Sequence, residues 1–236
     1  MVIPVDISKL SDETRKILLK EIVDNQVLSK LAKNEEYKVR CCVAANNNTS
    51  KEILSILSKD KNFWVRVEVA ENDNTSSEVL AELVKDVSRE VRRSVARNKN
   101  TRRDSLLILA KDEDFLVRDY VASNNNASED CLLILAKDTN RYVRLSVAEN
   151  HSATAKVLSM LSQDRDRDVR SAVAHNYNTI AETLEKLSED ESFEVRISVA
   201  QNGNTSMETL IKLYRDKDSY VRNAVLARFP NKWLFK

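Results

Sequence analysis

Apolar side chains along this chain fall on helical steps, and the steps come in two alternating kinds. One kind is VRxxVA: Val65 and Val69 lie one turn apart and are followed by the small Ala70, which marks a buried helical face. The other is LxxL, as in Leu54 and Leu57, Leu80 and Leu83, or Leu210 and Leu213, again one face of a helix. The two alternate with a fixed period. Val-Arg occurs at Val39-Arg40, Val65-Arg66, Val91-Arg92, Val117-Arg118, Val143-Arg144, Val169-Arg170, Val195-Arg196 and Val221-Arg222, every interval being 26 residues without insertion or deletion. The shared sentence is roughly VRxxVAxNxNTSxExLxxLxxD. A period of this length predicts two short helices per repeat and a stack of repeats, each burying the apolar face of its neighbour.

The polar positions predict how each repeat is joined. Thr49 with Glu52, Thr75 with Glu78, Thr101 with Asp104, Thr179 with Glu182 and Thr205 with Glu208 have the spacing of capping boxes opening the leucine helix. The residue between the two asparagines is Asn47, Asp73, Asn125 or Gly203 in four copies, types that tolerate left-handed backbone, so a positive φ is expected there. An acid stands six residues before each recurrent arginine from Asp60–Arg66 to Asp216–Arg222. That strict pairing predicts an Asp–Arg ladder within the frame rather than a row of phosphate-binding arginines. In this ladder Asp138 is the expected partner of Arg144.

The VRxxVA, AxNxNT and LxxLxxD segments, spanning residues 28 to 228, resemble the HEAT-like superfamily and within it the leucine-rich-repeat variant. The resemblance implies an all-α solenoid in which paired helices stack into a curved, right-handed superhelix with the VRxxVA helices lining the concave side. Two departures stand out: the loop lacks the proline that often follows Asn in that variant, and the short repeat leaves room for one helix to be brief or 3₁₀. We expect a single α-solenoid domain over 1–236 with about nine helical layers. Residues 1–33 form an N-terminal cap and degenerate repeat, 34–227 the repeats, and 228–236 a C-terminal cap in which Trp233, Leu234 and Phe235 fold back. Within the first segment Ser11 to Ile22 reads as a helix.

Composition agrees and removes other classes. One Gly and two Pro in 236 residues leave little material for turns of a sheet protein. With 38 Lys and Arg against 37 Asp and Glu the net charge is +1, unlike a strongly basic nucleic-acid protein. No segment approaches the length of a membrane span, Met1 to Leu10 lacks a signal-peptide pattern, and three cysteines show no metal spacing, so a cytoplasmic setting is expected. No catalytic motif, glycine-rich phosphate loop, metal site or cofactor pattern occurs, and His151 and His175 occupy variable loop-side positions. The expectation is a non-enzyme without cofactor.

Recognition would then lie on the variable residues of the VRxxVA helices. The stripe opposite the two valines carries Trp64, Val67, Arg93, Arg97, Tyr142, Leu145 and Tyr220, the candidate contacts for a protein or peptide partner. The aromatic rings have a second reading as covers over the seams between repeats. The alternative partner is nucleic acid, met by the basic stretch Arg89, Arg93, Arg97, Lys99, Arg102 and Arg103, with Arg92 reserved for the ladder. That stretch has also the reading of a solvated patch, since Glu71, Asp73 and Asp104 lie nearby.

Overall fold

The computed structural model describes Ser11 and residues 21–229. Among them are sixteen α-helices and no strand, in two alternating kinds, and the chain is an all-α solenoid. It divides into two compact units, Met1–Asn126 and Ala127–Lys236. The first holds α1 (Asn25–Leu31), α2 (Tyr37–Ala44), α3 (Lys51–Leu57), α4 (Phe63–Glu71), α5 (Ser77–Leu83), α6 (Arg89–Arg97), α7 (Arg103–Leu109) and α8 (Phe115–Ser123). The second holds α9 (Glu129–Leu135), α10 (Arg141–Glu149), α11 (Ala155–Leu161), α12 (Arg167–His175), α13 (Ala181–Leu187), α14 (Phe193–Gln201), α15 (Met207–Tyr214) and α16 (Ser219–Arg228). Residues 12–20 of the expected helix over Ser11–Ile22, and the folded-back Trp233, Leu234 and Phe235, lie outside the described residues. The leucine helices are mostly seven residues long and α-helical, so the shortness of the repeat is absorbed without a 3₁₀ element.

Burial follows the two apolar patterns. Leu54, Val65, Val69, Ala70 and Leu80 are wholly buried, as are Val143, Val147, Ala148, Leu158 and Leu184 in the second unit. Burying each such Val or Leu contributes about 1.5–3 kcal/mol relative to leaving it in water. Within each unit the VRxxVA helices of adjacent repeats pack directly on one another, which requires the small alanine at their contact.

Side chains from one repeat satisfy the backbone of the repeat before it. Asn72 Nδ2 donates to the carbonyls of Ala44 at 2.6 Å and Asn46 at 3.0 Å, while its Oδ1 accepts from the Asn74 amide at 2.8 Å. The same bonds recur from Asn98, Asn124, Asn176 and Asn202. Arg228, where the pattern calls for Asn, reaches the two equivalent acceptors of the repeat before it, donating to Ala200 O and Asn202 O at 3.0 and 2.7 Å. This asparagine also ends the helix. Asn72 adopts φ −70° and ψ 127°, and its carbonyl accepts from the Thr75 amide at 3.0 Å. The chain therefore turns without a left-handed residue: no positive φ occurs at Asn47, Asp73, Asn125 or Gly203. Side-chain capping replaces the left-handed turn that the residue types had suggested.

The threonines also act differently from the expected capping boxes. Thr49, Thr75, Thr101, Thr179 and Thr205 donate through Oγ1 to the valine carbonyl six residues earlier, at 2.5–2.6 Å. The cap falls one residue later, where Ser50, Ser76 and Ser206 accept from the amide three residues on.

The Asp–Arg ladder exists with a different connectivity. Arg66 grips Asp86 with two bonds, Nε to Oδ2 at 2.6 Å and Nη2 to Oδ1 at 2.8 Å, and gives Nη1 to the backbone carbonyl of Asp60 at 2.7 Å. The carboxylate partner is thus twenty residues ahead, and the acid six residues behind contributes only its carbonyl. Arg40–Asp60, Arg92–Asp112, Arg144–Asp164, Arg170–Asp190 and Arg196–Asp216 repeat this arrangement at 2.6–2.7 Å. Asp138 accordingly offers Arg144 its carbonyl at 2.8 Å, and removal of its side chain leaves the Arg144–Asp164 pair in place.

Burial pushes the carboxyls of Asp60, Asp86, Asp164, Asp190 and Asp216 up, but the arginine bond, the amide two residues on and the cationic charge outweigh it. All five are held below the usual carboxylate range. A carboxyl depressed in the native state stabilises above its unfolded value, roughly 3.9, and that stability is lost as pH falls through the native value. Thermal melts between pH 7 and 2 should hold to about pH 5 and fall steeply below it. A midpoint unchanged down to pH 2 would refute the ladder's electrostatic role.

A sharper test separates two acids on one arginine. Asp190→Ala strips Arg170 of a partner exposed by only 7% and should cost about 3–5 kcal/mol in urea unfolding. Glu191→Ala removes a contact at 3.5 Å from an acid exposed by 89%, and should cost less than about 1 kcal/mol. Equal losses would show that the bidentate pair is not special.

Candidate partner-binding face

The VRxxVA helices present three rows of variable residues, and the structure sorts them by depth. In the row before the first valine Trp64, Tyr142 and Tyr220 are exposed by 49%, 53% and 67%. In the row six after it Glu71, Arg97, Ser123, Glu149, His175 and Gln201 are all exposed. The middle row, two residues after the valine, sits at the seam where adjacent VRxxVA helices meet. Leu145 is half-buried there and Val67 is only 7% exposed, so Val67 is a seam residue and not a contact surface. Close packing of neighbouring helices takes up a position that a single-helix projection would assign to solvent.

The aromatic candidates differ in support. Trp64 stacks on Phe63 of its own helix at 4.7 Å between centroids, and Tyr142 lies beneath the Arg141 guanidinium at 4.8 Å. Tyr220 approaches Phe193 of the preceding repeat at 6.2 Å, so it touches the seam while leaving most of its ring in water. Arg97 lies over the ring of Tyr120 at 5.2 Å, a contact between repeats that the chain pattern did not reveal.

The basic stretch is met by acids of its own unit. Arg93 holds Asp114 with two bonds at 2.6 and 3.1 Å, and that bond is the main cause keeping the Asp114 carboxyl below its usual range. Arg92 is bound to Asp112, Lys99 to Asp73 at 2.8 Å, Arg89 to Glu90 at 3.1 Å, and Arg102 to Glu78. Arg103 stands exposed at the first residue of α7. The positive charges that sequence grouping brings together are thus largely offset in space.

Comparison with known proteins agrees with this architecture. A leucine-rich repeat variant described as a novel repetitive structural motif matches with a TM-score of 0.70 and 26% identity, over 94% of this chain and 88% of the other. The chain is a helical repeat protein. A structure of YibA from E. coli matches with a TM-score of 0.48 and 17% identity, over 92% of this chain and 96% of that one. A computationally designed armadillo repeat protein for modular peptide recognition matches with a TM-score of 0.22 and 14% identity, over 91% and 90%. No protein-family model and no curated protein matches the chain.

In this repeat protein no described helix is long and apolar enough to cross a membrane, and no group of three or more His, Cys, Asp or Glu among the described residues is placed to hold a metal ion. Cys41 occupies the middle row of α2, and Cys131 is buried on α9. Burial, aided for Cys41 by nearby Glu68, pushes both thiols up to about 12. Since the thiolate is the nucleophile, iodoacetamide at pH 8 should alkylate both at least roughly tenfold more slowly in the native protein than in urea. Peptide mapping would read this, and equal rates would contradict the protonated, buried assignment.

Proposed function

We propose that this repeat protein is a non-catalytic binding scaffold that recognises a protein or peptide on the exposed rows of its VRxxVA helices. The observation that carries the reading is the division of labour within each repeat. Valines, alanine, asparagine, threonine, arginine and aspartate are consumed by the frame, while exposed residues that change from repeat to repeat are left in water. Trp64 and Tyr142, with Arg97 and Tyr220, supply the aromatic and guanidinium anchors that dominate interfaces, and Leu145 and Arg93 flank them at the seam. No disulfide joins its three cysteines, which suits a reducing compartment such as the cytoplasm. Nucleic acid is the less favoured partner, because the stretch from Arg89 to Arg103 spends most of its charge on its own acids.

The reading is tested by capture from cell extract on immobilised protein, comparing wild type with a Trp64→Ala, Arg97→Ala, Tyr142→Ala variant. Each anchor should contribute about 2 kcal/mol to partner binding, so the triple variant should lose the captured protein while keeping its helical content. Unchanged capture would remove the face. Material that is lost on nuclease treatment and falls steeply between about 50 and 200 mM salt would instead favour nucleic acid.

A further inference from the structure

Each unit has a concavity in the same register, and the two differ in chemistry. In the first unit Glu71, Asp73, Ser94, Arg97, Asn98 and Lys99 line a space of about 320 Å³. Three repeats later the corresponding positions Glu149, His151, Ala172, His175, Asn176 and Tyr177 line one of about 840 Å³, extended by Leu145 and Asp168. Equivalent backbone positions therefore carry different side chains.

The first concavity satisfies its own charges. Lys99 Nζ meets Asp73 at 2.8 Å, Ser94 Oγ donates to Glu71 Oε1 at 3.1 Å, and Arg97 rests over Tyr120. In the second unit each of these contacts has lost at least one of its two partners. Tyr177 stands where Lys99 does and His151 where Asp73 does, and their rings face each other at 5.4 Å between centroids with planes 34° apart. Ala172 replaces the serine, so the Glu149 carboxylate loses that donor, and His175 replaces the arginine. Glu149 is exposed, and no hydrogen bond or ion pair reaches its carboxylate among the described residues. Asp168 adds a second carboxylate whose cations, Arg167 and Arg141, stand off at 3.7 and 3.8 Å. Leu145 and Ala172 give the space an apolar part.

We propose that this cleft recognises an arginine side chain presented by the partner peptide, a reading that rests on the binding-scaffold function above. A guanidinium is flat and carries donors in a fork. It bonds a carboxylate with two N–H groups, stacks on an aromatic face and lays its methylenes on apolar surface. Glu149, the His151–Tyr177 ring pair and Leu145 offer these three contacts together. A lysine ammonium would use the carboxylate but lacks the plane that the ring pair accommodates. The volume also exceeds one side chain, leaving room for the flanking peptide backbone.

The test is a ¹H–¹⁵N NMR titration of the labelled full chain with N-acetyl-L-arginine N-methylamide, and in parallel with the glutamate analogue. Saturable shifts of amides at 149–151 and 175–177 are expected with the arginine probe at concentrations on the order of 10 mM or below, with residues 71–73 and 97–99 unmoved. Glu149→Gln should weaken the binding at least tenfold while the remaining spectrum stays in place, and Tyr177→Ala should weaken it as well. Absence of saturable shifts, equal shifts with the glutamate probe, or wild-type affinity in Glu149→Gln would each overturn the arginine site. The probe needs no partner, so its failure is separable from failure of the scaffold reading. A captured partner that survives Glu149→Gln alongside a silent titration refutes only the arginine site.

Discussion

The repeated structure depends on bonding a buried guanidinium from both sides. A buried arginine is tolerable only if its charge and its donors are matched, because desolvation of an unmatched charge costs several kcal/mol. Here Nε and Nη2 are taken by the aspartate of the next repeat and Nη1 by carbonyls of its own. The aspartate in turn accepts the amide two residues on, so that Asp164 holds both Arg144 and the turn at Asp166. Among the described residues no buried side-chain nitrogen or oxygen lacks a hydrogen-bond partner. That complete matching explains why the period admits no insertion: one extra residue would strand an arginine in one repeat and an aspartate in the next.

The asparagines impose the same constraint on the other side of the VRxxVA helix. Each ends its helix, turns its own chain and binds carbonyls one repeat back, three duties that its single amide can perform at once. Arg228 shows that the acceptors rather than the asparagine are the invariant requirement, since a different side chain reaches the same two carbonyls. The frame uses up the recurrent polar residues in this way, and the variable residues that it leaves in water lie in the outer two rows of the VRxxVA helices. Side chains can change there without altering the stack, as the two differently furnished concavities show.

Charge patterning acquires meaning only in three dimensions. Arg89 to Arg103 is a basic stretch along the chain, but Asp73, Glu78, Asp112 and Asp114 from neighbouring repeats are brought against it. The reverse holds near Glu149, where nothing in the chain pattern marks an unusual acid and the site becomes visible through what its spatial neighbours lack.

Periodicity of apolar residues was enough to determine the two helix types, their alternation, the all-α solenoid and the identity of the buried valines, alanines and leucines, because burial of a helical face is a local, periodic requirement. It also identified which residue classes form the ladder. It could not say which copy pairs with which: in a 26-residue repeat the acid six positions behind an arginine and the acid twenty ahead are the same class, and only the stacking of one repeat on the next selects Asp164 over Asp138 for Arg144. The same stacking buried Val67, sent the threonine hydroxyls to carbonyls instead of helix amides, and replaced a left-handed turn by an asparagine cap. Each of these depends on contact between segments a full repeat apart or on how one turn closes, and such contacts leave no separate mark in a periodic sequence.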